Sequence, residues 1–337
     1  MSAARNTGPI VIAGGGIGGL ACALALAIKG FKAIVLEQAH AFGEIGAGIQ
    51  LAPNAWSALD ALKVGELVKK EAVFIERLLM MDGITGESVI DIPLDERFRE
   101  RYGNPYAVTH RADIHAALLD GCKARPDRIE LRTESRVSRF QIEGEGVTVE
   151  IDGKPRIAAS ALVGCDGWHS VVREQAGKGH NEEAPPEEVL PLFIRNCDKP
   201  LSILRVPKSF KRWMLRFRDP VENWTQGPVT LLGDAAHLML QYFAQGAAQS
   251  MEDAIALATA ADAADGDFTA AFQRYQAMRL VRASRVQISS QLLGLLYHAS
   301  GAARLVRNDL YQGRPAERYY DALDWIFSAP DYVRGFR

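Results

Sequence analysis

The sequence predicts an α/β fold organised around a parallel sheet, and three observations carry that expectation. Short β-branched runs at residues 9–13, 31–37, 159–165 and 229–232 have the pattern of strands buried on both faces. The first run leads through a glycine cluster into an apolar stretch of helix formers, residues 20–29. The last two runs end beside acids, Asp166 and Asp234, at the place where a parallel strand opens onto its crevice.

The elements follow in order. Residues 9–13 (PIVIA), the glycine-rich residues 14–19, the apolar run and Gly30 at its helix C-terminus, then residues 31–37 (FKAIVLE), spell a strand, turn, helix and strand. Residues 41–53 read as a glycine-containing loop, 54–63 and 65–72 as helices, and 78–92 as strands around turn signals. Residues 111–123 have helical spacing at Ile114, Leu118 and Leu119. Residues 129–131, 136–142 and 146–151 read as strands, and 177–188 as a polar, proline-containing linker. Two long helical patterns, 244–264 and 268–295, follow the last buried strand.

Bulk properties narrow the function. The chain has 337 residues, which suits two domains or one large α/β domain. Hydrophobic residues make up 48% and charged residues 24%, with a net charge of −2. No basic field for nucleic acid or an anionic membrane results. Cys22, Cys122, Cys165 and Cys197 form no close pair, so buried free thiols are expected, and no metal site. The polar start, followed by a glycine-broken apolar run, suits neither a signal peptide nor a membrane span; a cytoplasmic protein is expected.

Gly14, Gly16 and Gly19 form a GxGxxG pattern. The first permits a tight turn, the second a close approach of backbone to a pyrophosphate, and the third close packing of helix on strand. Free N–H groups at the helix start favour phosphate. Glu37 stands at the tip of the second strand, where a dinucleotide site needs an acid for a ribose diol. Taken alone, this pattern does not separate FAD from NAD. Asp166 opens the stretch DGWHSVVR and Asp234 the stretch DAAH after Gly233. Each acid can accept from sugar hydroxyls, and each, taken singly, reads better as a helix N-cap.

Together the three motifs, in this order over nearly the whole chain, resemble the class A flavoprotein aromatic hydroxylases. The resemblance implies a Rossmann-like FAD domain of the GR2 type, a substrate-binding β-sheet domain and C-terminal helices. It implies residues 1–173 and 221–337 for the FAD domain, with substrate-domain elements at 78–110 and 174–220. Gly14, Gly16, Gly19 and Glu37 would hold the ADP part of FAD, with Asp166 near FAD and the nicotinamide, and Asp234 at the ribityl chain. Arg111 matches the family's flavin-contacting arginine, whose plain alternative is a surface arginine at a helix start. Residues 46–50, with Gly48, match the loop that passes the flavin ring. Gln245 and Gly246 fall beside the flavin pyrimidine, where backbone N–H groups would stabilise the reduced ring.

Residues 101–106, 239–247 and 306–325 are similar to the 3-hydroxybenzoate 6-hydroxylase and salicylate hydroxylase branch. That branch implies NADH and O2 as co-substrates, transfer of oxygen from a flavin C4a-hydroperoxide, and conversion of 3-hydroxybenzoate to 2,5-dihydroxybenzoate (gentisate); salicylate chemistry is the alternative. Gln241 becomes the candidate for hydrogen-bonding a phenol or carboxylate, with a surface polar residue as its alternative. His237 is expected to be structural, and His115 and His169 to be helix-face residues without a chemical role. Family members often form homodimers, on which composition and periodicity are silent.

Two departures stand out. Leu238 occupies the place of a proline that usually follows the GDAAH motif. The interval from Arg173 to Trp224 is several tens of residues shorter than in the family, so the substrate sheet is shortened. A chain truly lacking it would be a flavin-binding protein that oxidises NADH without coupled hydroxylation. The preferred expectation is that the residues exist and the numbering closes over them.

Overall fold

In the computed structural model, residues 8–43, 47–177, 182–183, 197, 202 and 215–337 are described. The predicted linker and the run leading to Pro220 lie largely outside them, as does Gly46. The sequence itself runs unbroken through all 337 residues. The interval between Arg173 and Trp224 is short in the sequence as it stands.

The central sheet has six strands in the order Thr225–Gln226, Val229–Leu231, Ala161–Gly164, Ile10–Ala13, Ala33–Leu36 and Ile129–Arg132. All neighbours are parallel except the first pair, which is antiparallel. Ile12 pairs with Val35 on one side and Val163 on the other. Every residue of the Ile10–Ala13, Ala33–Leu36 and Ala161–Gly164 strands is buried, so no strand face is available to alternate with polar residues. The apolar helix Ile17–Ile28 is covered in turn by the helix Gly246–Ala263. An antiparallel meander, Val137–Glu143, Gly146–Ile151 and Lys154–Ala159, links the outer strand back to the Ala161–Gly164 strand.

A second apolar cluster lies apart from the sheet. It gathers Phe98, Tyr102 and Tyr106 with Tyr319, Tyr320 and Phe327. The helix Glu96–Tyr102 is tied to the helix Ala316–Phe327 by Arg97 on Glu317 (2.9 Å), Arg101 on Asp321 (2.7 Å) and a bond from the Tyr102 hydroxyl to the Tyr320 carbonyl (2.7 Å). The hairpin Arg77–Met81 and Ser88–Pro93 is clasped to the helix Gly301–Tyr311 by the buried Asp82. That carboxylate accepts from Arg304 (2.6 Å), Arg307 (3.0 Å) and Asn308 (2.8 Å), contacts led by Arg304 that hold it well below the usual carboxylate range. The helix Gly301–Tyr311 therefore reaches back to a segment more than 200 residues earlier.

Candidate active site

The glycine loop leaves the central strand at a point where side chains do not fit. Gly14 has φ +106°, and a Cβ there would lie 2.3 Å from the Cys165 carbonyl oxygen. A Cβ on Gly19 would lie 1.9 Å from the Gly14 carbonyl oxygen, backbone against backbone. The helix Ile17–Ile28 starts at Gly16 with no side-chain cap, so its first-turn N–H groups are open to an anion.

Two side chains brace this loop. Glu37 accepts from the Gly15 N–H through Oε2 (2.8 Å) and from the Ala39 N–H through Oε1 (2.8 Å). A carboxylate has further lone pairs, so this bracing leaves room for a ligand hydroxyl. His115, predicted to lack a chemical role, is buried on its helix with Nε2 2.8 Å from the Gly15 carbonyl oxygen. A carbonyl only accepts, so that nitrogen carries the proton. His115 thus supports the phosphate loop from below, a contact between residues 100 positions apart that helical spacing could not reveal.

Asp166 braces the turn at the strand end, where Ser170 rather than Asp166 is the side-chain cap of the helix Val171–Gln175. The Oδ1 of Asp166 lies 2.5 Å from Ser170 Oγ and its Oδ2 accepts from the Val172 N–H at 3.2 Å, while the residue also lines the cavity. Burial pushes its carboxyl up, against the pull of the Ser170 bond. Asp234 begins the short helix Asp234–His237 after Gly233, whose φ is +65°.

The Asp234 loop is held from behind by buried charge. Asp253 accepts from the Gly233 N–H (3.0 Å) and from His237 Nε2 (2.5 Å) with one oxygen, and from Arg279 Nε (2.6 Å) with the other. Burial alone would raise Asp253, but His237 and Arg279 outweigh it and hold the carboxyl at about 2. Arg279 also donates to Glu252 (2.7 Å) and to the Gln249 side chain (2.6 Å). Asn54 donates to Glu252 (2.8 Å) and to Gln245 Oε1 (2.9 Å). The Gln245 side chain is therefore engaged in the interior, which leaves the backbone at Gln245 and Gly246 to face a ligand. His237 is structural here, as predicted. None of Asn54, Asp253 or Arg279 was singled out in the sequence; the one available signal was a pair of acids inside an otherwise apolar helical run, residues 252–253.

These parts surround one cavity of about 1390 Å³. That is larger than the usual volume of a single small-ligand site, about 300–1,000 Å³. Gly14, Gly16, Glu37, Gly48, Arg111, Asp166, Asp234, Gln241, Gln245 and Gly246 all line it; of the predicted site residues, Gly19 alone does not, because it packs under the loop. His169 is exposed and also lines it. Gln241 lies at the start of the turn Gln241–Phe243, exposed and facing the same space. Beyond Gln241 the walls become apolar and aromatic, with Met80, Ile90, Tyr106, Tyr297 and Phe327. Cys22 and Cys122 are buried thiols, and Cys165 and Cys197 are half-buried. Among the described residues no group of three His, Cys, Asp or Glu is placed to hold a metal, and no helix is long and apolar enough to cross a membrane.

The glycine turn, the uncapped helix start and the acid at the second strand define a dinucleotide-binding protein with a second, apolar chamber. The FAD binding domain family matches residues 7–202 and 180–287. Over 95% of this chain and 95% of the relative, the chain is 40% identical to a 3-hydroxybenzoate 6-hydroxylase of Polaromonas naphthalenivorans. It is 37% identical to the enzyme of that name from Klebsiella oxytoca, over 94% of this chain and 96% of the relative. Among solved structures it is similar to a salicylate hydroxylase substrate complex (TM-score 0.79, 20% identity, 98% of both chains). Klebsiella pneumoniae HpxO complexed with FAD and uric acid gives a TM-score of 0.82 at 21% identity, over 96% of this chain and 97% of that chain. The chain belongs to the FAD binding domain family and, within it, to the class A flavoprotein aromatic hydroxylases, which are FAD-dependent monooxygenases.

The alignment to the Polaromonas relative runs over 382 positions, whereas 95% of 337 residues is about 320. Some 60 positions of that alignment therefore have no residue here. The two family matches overlap at residues 180–202, inside the interval that the sequence marks as short.

Proposed function

We propose that this protein hydroxylates 3-hydroxybenzoate to 2,5-dihydroxybenzoate, with NADH as reductant and O2 as oxidant. One observation carries the reading: a single cavity runs from a phosphate-ready glycine loop into an apolar, tyrosine-lined chamber. The choice of phenolic acid is supported by the names of the relatives at 37–40% identity.

The residues present suit FAD. Glycines at positions where a Cβ would strike backbone, an uncapped helix start and Glu37 fit a bound ADP group. Asp166, Asp234 and Arg111 would hold the rest of the cofactor, with Gly48 and the backbone at Gln245 and Gly246 beside its ring. Bound there, FAD would supply electron transfer from NADH and activation of oxygen. The chain's own work is positioning and exclusion of water. The apolar chamber holds an aromatic ring and keeps solvent from the reacting atoms. Gln241, which lines the cavity, would accept the phenol's hydrogen bond through its amide oxygen and so orient the ring oxygen.

The decisive experiment measures NADH consumed against 2,5-dihydroxybenzoate formed, with salicylate as the comparison substrate. Product equal to NADH supports the proposal; turnover of salicylate alone replaces the substrate. A second reading follows from the 60 or so unmatched positions: part of the substrate wall is missing, and reducing equivalents pass to peroxide. Peroxide equal to NADH with no hydroxylated product would select it.

A further inference from the structure

The cavity changes character along its length. Its glycine-loop end carries the acids Glu37, Asp166, Glu174 and Asp234. The far end, beyond Gln241, is apolar and aromatic and carries one charged lining side chain among the described residues, Arg314.

Arg314 lies in the turn between the helices Gly301–Tyr311 and Ala316–Phe327. Gly313 has φ +72°, and Pro315 is the N-cap of the next helix, so the path of the turn is set by two residues with restricted choices. The guanidinium sits over the Tyr311 ring at 4.7 Å and near the Tyr319 ring at 5.7 Å. Its Nη2 donates to the Leu310 carbonyl (3.1 Å), and the Tyr319 hydroxyl donates to the Tyr311 backbone carbonyl (2.8 Å), tying the Tyr319 ring to the end of the preceding helix.

Among the described residues Arg314 has no carboxylate partner. The acids of the following helix are engaged elsewhere: Glu317 with Arg97 (2.9 Å), and Asp321 (2.7 Å) and Asp324 with Arg101. Among the described residues, most of its N–H fork is unused, and no acid lines the chamber end beside it. A guanidinium held by aromatic faces and presenting a planar fork recognises a carboxylate in two-point fashion.

We propose that Arg314 anchors the carboxylate of the aromatic substrate at the outer end of the chamber, so that the ring enters with its acid group outermost. The inference rests on the proposed hydroxybenzoate activity and names the residue that would select an acid over a neutral phenol. Arg314 is exposed, so the attraction is partly screened by solvent and its effect is modest.

The test compares 3-hydroxybenzoate with 3-hydroxybenzamide, which keeps the ring and phenol but lacks the charge. In the FAD-loaded protein, Arg314→Gln is expected to lower the preference for the acid over the amide, as a ratio of kcat/KM, by about 5-fold. Arg314→Lys restores part of that ratio, and the wild-type preference shrinks as salt rises. An unchanged ratio in Arg314→Gln overturns the inference even if overall turnover falls. Should the wild type form no product from 3-hydroxybenzoate, the proposed activity fails. Dissociation constants for the acid and the amide, read from the cofactor absorbance, then decide the anchor separately: equal loss for both, or none, overturns it.

Discussion

The two ends of the cavity are built by different means. The phosphate end is made of backbone: Gly14, Gly15, Gly16 and an uncapped helix start, all within a few residues of one strand. The chamber end is made of side chains from a hairpin near residue 80, from Tyr106, from the end of the helix Phe268–Tyr297 and from helices after residue 300. A backbone site tolerates little change in its glycines, and here it is braced by a few buried side chains such as His115. A side-chain site tolerates conservative changes but depends on long-range packing.

That contrast leads to expectations in descending order of effect. Arg279→Ala removes the buried partner of Glu252 and Asp253 at once, and is expected to cost about 3–5 kcal/mol. Because Arg279 stands behind both the Asp234 loop and Gln245, its loss should lower thermal stability and FAD retention together; an FAD affinity unchanged at a lowered Tm would separate the two. Phe98→Ala empties the centre of the second cluster, at about 3–4 kcal/mol. FAD should still bind, while titration with 3-hydroxybenzoate should weaken. If FAD is lost equally, the two ends do not act as separable sites.

Gly14→Ala meets backbone and a positive φ, and is expected to cost about 2–3 kcal/mol, with FAD released on gel filtration. His115→Ala removes a buried support of the loop, at about 1–2 kcal/mol, and should raise the FAD dissociation constant with little change at the chamber end.

The Asp253 carboxyl adds a pH dependence. Its folded value, about 2, is below the unfolded value near 3.9. A depressed carboxyl stabilises the fold above its unfolded pKa and loses that contribution as pH falls towards its folded one. Acid unfolding between about pH 4 and pH 2 should therefore be shallower in Asp253→Asn than in the wild type, measured by fluorescence.

Much of the sheet was legible before the structure. Strands buried on both faces show as unbroken β-branched runs, and residues 9–13, 31–37, 159–165 and 229–232 all became strands of the central sheet. The glycine loop was legible because steric exclusion acts on consecutive residues. The support that His115 gives the loop was not foreseen, and Asn54 and Arg279 passed unnoticed, because a buried polar residue shows its purpose only through its partner. Those partners are 100, 191 and 26 positions away.

By itself, the sequence determined the parallel sheet, the phosphate loop and the acids at the strand ends, since each depends on local backbone sterics or on burial of one continuous run. It also determined the family, because its three motifs recur in a set order. Only the tertiary structure decided that Glu37 braces Gly15, that Gln245 turns its side chain inward, and that Arg314 has no carboxylate partner among the described residues at the far end of the cavity. Hydrogen bonding and charge pairing act through space, and in this chain the groups that satisfy one another are brought together by packing of the C-terminal helices onto segments folded from its first third.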